Sequence, residues 1–97
     1  MTFDWAHELR KYDSDEYKTW RKAVKTRDKY KCQFPGCEYD VQIHLQVHHI
    51  ERIIDRPDLI FDVSNGITLC RKCHTKVTGM EYMYESLFKD IVHSAET

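Results

Sequence analysis

The sequence predicts an α+β fold in which one helix precedes a strand, a long loop, a second strand and a closing helix. Three observations carry that expectation. The stretch 41-VQIHLQVH-48 alternates apolar and polar residues, residues 14–30 and 71–92 have helical periodicity, and cysteines come as two close pairs, 32-CQFPGC-37 and 70-CRKC-73. A chain of 97 residues is expected to make a single domain spanning 1–97, with an N-terminal helical extension over 1–31 and a core over 32–92. Domains this small bury a modest core and often need a staple such as a metal or disulfides.

Taken in order, the first dozen residues are expected to hold a short helix around Trp5 and Leu9. Residues 14–30 form the first main helix, capped by Asp13 or Ser14, with Tyr17, Trp20, Ala23 and Val24 as its inward stripe. Residues 41–48 read as a half-buried strand, with Val41, Ile43, Leu45 and Val47 inward and Gln42, His44, Gln46 and His48 outward. A long connection follows over 51–66, with Pro57 and one turn around Asp58; loops of that length in small domains are usually functional. Residues 67–69 make the second strand. The closing helix over 71–92 turns Val77, Met80, Tyr84, Leu87, Phe88 and Ile91 to the core, with Gly79 as a weak point or kink.

Composition narrows the class. The two Trp, six Tyr and four Phe exclude a disordered polymer, and three Gly with two Pro leave no low-complexity linker. No apolar run is long enough to span a bilayer, and the opening MTFDWAHELRKYD lacks a signal peptide's basic start and apolar core. A cytoplasmic protein without a membrane partner is therefore expected. Net charge is −1, but it is unevenly spread. Lys18, Arg21, Lys22, Lys25, Arg27, Lys29 and Lys31 face only Glu16 and Asp28 within 16–31, and Arg71, Lys72 and Lys76 form a second basic group. Phosphates respond to such local patches within a Debye length of ~8–10 Å. From charge alone, a solvated helix face is the simpler account.

The cysteine spacing suits a tetrahedral site. Each short pair sits on a tight turn that aims two thiolates at one centre, and Pro35-Gly36 supplies the first turn. Two disulfides would use the same residues, but a cytosolic compartment argues against them. Cys32, Cys37, Cys70 and Cys73 are thus expected to hold a structural Zn2+, since four thiolates leave no open position for chemistry.

The adjacent histidines of 47-VHHI-50 must point to opposite faces of a strand, so they are expected to do different work. His48 at the strand end and His74 in the first turn of the closing helix can bind one divalent ion from two sides. His49, pointing the other way, can act as a base, with the side-chain oxygen of Asn65 accepting from its ring N–H. His7, His44 and His93 stay outside this site, and Trp20, Tyr17, Tyr30 and Phe34 read as structural rather than as platforms for nucleobases.

Together 47-VHHI-50, 65-NGITLC-70 and 70-CRKCH-74, framed by 32-CQFPGC-37, closely resemble an HNH endonuclease with the ββα-metal fold. The segment 20-WRKAVKTRDKYKCQ-33 resembles the basic helix that often precedes that core in small HNH proteins of phages and bacteria. The resemblance implies a bacterial or phage-infected host cell, DNA as partner, and phage packaging proteins or other DNA-processing proteins as further partners. It implies His48 and His74 as ligands of a catalytic divalent ion such as Mg2+ or Mn2+, His49 as general base, and Asn65 as the residue that orients it and steadies the loop. The implied reaction is phosphodiester hydrolysis, as nicking or double-strand cleavage, to 5′-phosphate and 3′-hydroxyl ends with low sequence specificity. Arg21, Lys22 and Lys25 on the basic helix, with Arg52 and Lys72 near the site, are the expected DNA contacts.

Three departures from the family pattern stand out. The first cysteine pair has four intervening residues where two are common; Gly66 replaces a common aliphatic residue, predicting a looser strand start; and Glu51 puts an acid beside the site, expected to be a surface residue. A non-catalytic zinc-stabilised DNA-binding module would explain the cysteines and the basic helix equally well, and a protein-binding zinc adaptor would explain the acidic segments. Neither accounts for His48, His49, Asn65 and His74 together.

Overall fold

The computed structural model describes residues 14–37 and 44–96. The expected helix around Trp5, the Asp13 cap and strand positions 41–43 lie outside the described residues. Helix α1 (Asp15–Arg27) starts where Ser14 Oγ accepts from the Tyr17 N–H at 3.1 Å, a side-chain N-cap. It ends where Lys29 and Tyr30 take left-handed backbone angles, so the helix stops three residues before the expected Tyr30 end, and Tyr30 is exposed rather than packed.

Strand β1 (Gln46–His49) pairs antiparallel with β2 (Gly66–Leu69), with His48 opposite Ile67 and His49 opposite Gly66. The strand expected over 41–48 therefore starts later and runs one residue further. His44 has a φ of 63°, which an extended strand cannot contain. Two 3-10 turns, Pro57–Leu59 and Val63–Asn65, punctuate the long connection between the strands.

The expected closing helix is two helices. Helix α2 (Arg71–Val77) and helix α3 (Glu81–Glu96) are separated at Gly79, whose φ of +85° ends the run. That break resets the helical phase. Phe88 and Val92 take the inner positions of α3, while Met80 and Leu87, expected inside, are exposed.

The sheet is covered on both faces. Ile67 and Leu69 join Leu45, Ile50, Val77, Phe88 and Val92 in the main core, against α2 and α3. On the other face α1 packs directly on β2. A Cβ on Gly66 would come within 2.7 Å of both Trp20 and Val24, so the glycine permits a close approach and the strand start is tight, not loose.

An ion pair pins this second layer. Arg27 and Asp28 make two parallel bonds of 2.9 Å, with both side chains nearly shielded from solvent. Arg27 also donates to the carbonyls of Val63 and Gly66, and Asp28 accepts from the Thr68 N–H at 2.9 Å. Arg27 is thus removed from the basic patch in which its charge was counted. No helix among the described residues is long and apolar enough to cross a membrane.

Candidate metal centres and active-site cleft

The first centre is built by two turns. Phe34-Pro35-Gly36-Cys37 closes with the Cys37 N–H donating to the Phe34 carbonyl at 3.1 Å, and Gly36 supplies the required φ of +80°. Cys70 caps α2, its Sγ accepting from the Cys73 N–H at 3.5 Å. The Gln33 N–H donates to the Thr68 carbonyl at 2.9 Å, which ties the first turn to β2. All four thiols, Cys32, Cys37, Cys70 and Cys73, are free, and their sulfurs lie within 4.8 Å of one another.

Cys37 and Cys70 sulfurs are 3.9 Å apart. A tetrahedron with metal–sulfur bonds of ~2.3 Å has an edge of ~3.8 Å, so the cluster fits a four-thiolate metal site. Burial, together with the neighbouring thiols, pushes the Cys73 thiol up. Burial also pushes Cys70 up, but the Cys73 N–H and the surrounding thiols outweigh it and bring that thiol down. Crowding of this kind opposes ionising all four, and a divalent cation relieves it.

The second centre is an open cleft of about 450 Å³, lined by Tyr17, Val47, His48, His49, Arg52, Ile53, Ile54, His74 and Glu81. His48 is buried on the face of β1 covered by α2 and α3. Its ring lies 5.4 Å from that of His74, nearly perpendicular, and 6.5 Å from Phe88. His48 Nε2 is buried with no hydrogen-bond partner. Orphaned buried polar atoms are rare, and a ring nitrogen is a good metal donor, so the pair His48 and His74 fits a divalent ion.

The hydrogen bonds around His74 favour the same role. The Thr78 hydroxyl donates to the His74 carbonyl at 2.7 Å, so its oxygen can only accept from His74 Nδ1–H, at a long 3.4 Å. That tautomer leaves the lone pair on Nε2. Burial is the main cause that holds all three histidines below their ordinary range, with His48 pushed down to about 4. His74 and His49 push His48 down further, while Glu81 counteracts at His48 and His74. The imidazoles are therefore neutral near pH 7, as ligands and bases must be.

His49 sits on the opposite face of β1. Its ring stacks on Trp20 with centroids 4.3 Å apart and planes at 11°. Its Nε2 lies 3.0 Å from the Ile60 carbonyl. Asn65 was expected to orient this ring and does not touch it there. The Asn65 side chain instead accepts from the Glu51 N–H at 2.8 Å and donates to the Glu51 carbonyl at 3.1 Å. Asn65 pairs with peptide groups at the head of the loop because its amide offers one acceptor and two donors at that depth. It steadies the loop that carries Ile60, so its connection to His49 is indirect.

The other expected residues separate. Arg52 lines the histidine cleft and pairs with Asp55 at 3.2 Å. Lys72 lies beside the thiol cluster with Phe34 and Lys76, away from the histidine cleft. Arg21 and Lys22 are exposed on α1, Lys25 is half-buried, and the Arg21 guanidinium sits 5.1 Å over the Tyr17 ring at the cleft wall. Glu51 turns away from the histidines to Lys89 at 3.5 Å and Arg56 at 3.8 Å.

Two residues that meet the site histidines were not anticipated, Glu81 in the cleft and Trp20 behind His49. Glu81, in the first turn of α3, brings a carboxylate to the histidine pair; only the break at Gly79 aims it there, and the periodicity of 71–92 concealed that break. Trp20 was taken for core alone. It is buried, but one ring face serves His49.

No curated protein and no solved structure matches the chain. The HNH endonuclease family model matches residues 32–79, from the first cysteine of the thiol cluster to the glycine that ends α2. That segment contains both strands, all four cysteines, the three cleft histidines and Asn65. The match, the ββα order and the clustered thiols agree, and residues 32–79 are similar to the HNH endonuclease family.

Proposed function

We propose that the protein is a metal-dependent DNA endonuclease that hydrolyses phosphodiester bonds to 5′-phosphate and 3′-hydroxyl ends with low sequence specificity. The observation that carries this is the pairing of His48, its buried Nε2 unpartnered, with His74 in the same open cleft as His49. A DNA-binding module without catalysis has no use for that arrangement. The thiol cluster would hold Zn2+ as a structural frame, because four thiolates close its coordination.

The Ile60 carbonyl can only accept, so His49 Nε2 carries the proton and Nδ1 has the lone pair. His49 takes a proton from water as the water oxygen bonds to phosphorus. The bond from phosphorus to the 3′ oxygen breaks, and the leaving oxygen takes a proton from solvent. His48 and His74 would hold the divalent ion, which when bound supplies Lewis-acid stabilisation of the charge developing on phosphate. Glu81 adds negative charge that favours a cation in the cleft. Arg52 can contact the phosphate, while Arg21, Lys22 and Lys25 extend a basic surface along α1 from the cleft wall. Lys72 would reach DNA only over the thiol-cluster side.

Supercoiled plasmid incubated with Mg2+, Mn2+ or Ni2+, an EDTA control and His49→Ala tests the proposal. Metal-dependent nicking that the substitution cuts to a small residual rate is the expected result. Plasmid that shifts on a gel but is never cut would favour the binding module.

A further inference from the structure

We propose that Trp20 is a positioning residue for His49, so that α1, which lies outside the matched HNH segment, is a working part of the catalytic unit; this rests on His49 being the base. The Ile60 carbonyl fixes one direction in the imidazole plane. An indole face at 4.3 Å and 11° fixes the tilt of that plane, because tilting the imidazole would drive it into the ring.

The indole is itself held from three sides. Its Nε1–H donates to the Asp62 carbonyl at 2.8 Å, two residues beyond Ile60 on the same loop. One loop segment thus holds the imidazole through Ile60 and the indole through Asp62. Tyr17, one turn earlier on α1, lies 5.5 Å from the indole and lines the cleft.

The third side is Gly66, which stands directly opposite His49 across the two strands. Cross-strand partners share a face, so a side chain on residue 66 would occupy the space beside the imidazole. The close approach of Trp20 to Gly66 shows that the indole fills that space. Glycine here and tryptophan at 20 are two halves of one device. The glycine vacates the position opposite the base, and α1 delivers an aromatic plate into it.

Plasmid cleavage kinetics over a range of DNA concentrations at saturating metal test the device, with circular dichroism and zinc content reporting the fold. Trp20→Leu is expected to lower kcat by roughly 10- to 100-fold with KM little changed, the scale of a misplaced catalytic group. Trp20→Phe keeps a stacking ring without the bond to Asp62 and should recover most of kcat. In a His49→Ala background, Trp20→Leu should cost nothing further, because its effect passes through the imidazole. Gly66→Ala displaces the indole from the opposite side and carries the same comparison if Trp20→Leu fails to fold. Equal losses with and without His49, or an unchanged kcat in folded Trp20→Leu, would overturn the proposal. Full activity in His49→Ala would remove its premise and the assigned base together.

Discussion

Cys73 and His74 are neighbours on one short helix, yet they serve clusters of opposite kinds. Cys73 faces three other thiols within 4.8 Å, a set that fills a tetrahedron. His74 faces a single buried imidazole, in a cleft open to solvent and bordered by a carboxylate. The difference teaches where stability and chemistry are divided. The closed cluster ties the Cys32–Cys37 turn to the start of α2, and the open one borrows that fixed helix start to aim His74 at His48.

The sharpest way to break this comparison is to remove the frame. Cys73→Ser, or stripping the metal with a strong chelator, should abolish cooperative folding, since structural zinc contributes on the order of 10 kcal/mol to small domains. Thermal melts followed by circular dichroism would show it. A retained cooperative melt would mean that the frame is dispensable.

A second frame is purely electrostatic. Arg27 and Asp28 are buried against β2, and removing one partner strands the other. Asp28→Ala should cost about 3–5 kcal/mol, read by urea denaturation. A cost near zero would show that the pair is not what seats α1.

Acid should act on the open cluster first. His48 is pushed down to about 4, well below the ordinary histidine value of 6.5, mainly by burial. Between those values the unfolded chain binds the proton and the folded one does not. Stability that is complete above pH 6.5 is therefore lost as pH falls toward 4, by about 3 kcal/mol for this group. Burial lowers His49 and His74 too and adds in the same direction. Denaturation midpoints at pH 7 and pH 5 should fall further apart in wild type than in His48→Gln, a contrast that separates this imidazole from the thiolates. Identical pH dependence in both proteins would contradict it.

The smallest expected effect concerns Glu81. Glu81→Gln keeps the shape of the cleft and removes its negative charge, so Mn2+ affinity should weaken by roughly tenfold, about 1.4 kcal/mol, with zinc content unchanged. Calorimetric titration measures it. Unaltered affinity would leave Glu81 as a bystander.

Much of this design was legible in the sequence because it is local. The cysteine turns, the Ser14 cap, the strand order and the pairing of His48 with His74 follow from spacing within a few residues or from motifs of fixed order. The features that escaped depend on contacts distant in sequence or on single backbone angles. His44 and Gly79 each take a positive φ, which cut a strand and a helix that periodicity alone would have continued. Arg27 looked like one more surface cation until the carbonyls of Val63 and Gly66 claimed it. Trp20 and Asn65 showed the right residue types without revealing which groups they would meet across the loop.

The central claim of the proposed function is that His48 and His74 would hold a divalent ion distinct from the Zn2+ proposed for the thiol cluster. Mn2+ binding to the zinc-loaded protein, followed by electron paramagnetic resonance in wild type and His48→Ala, tests it most directly. The account predicts one Mn2+ per chain in wild type, its loss in the variant, and one zinc retained in both. Equal Mn2+ binding in the two proteins, or none in either, would contradict it.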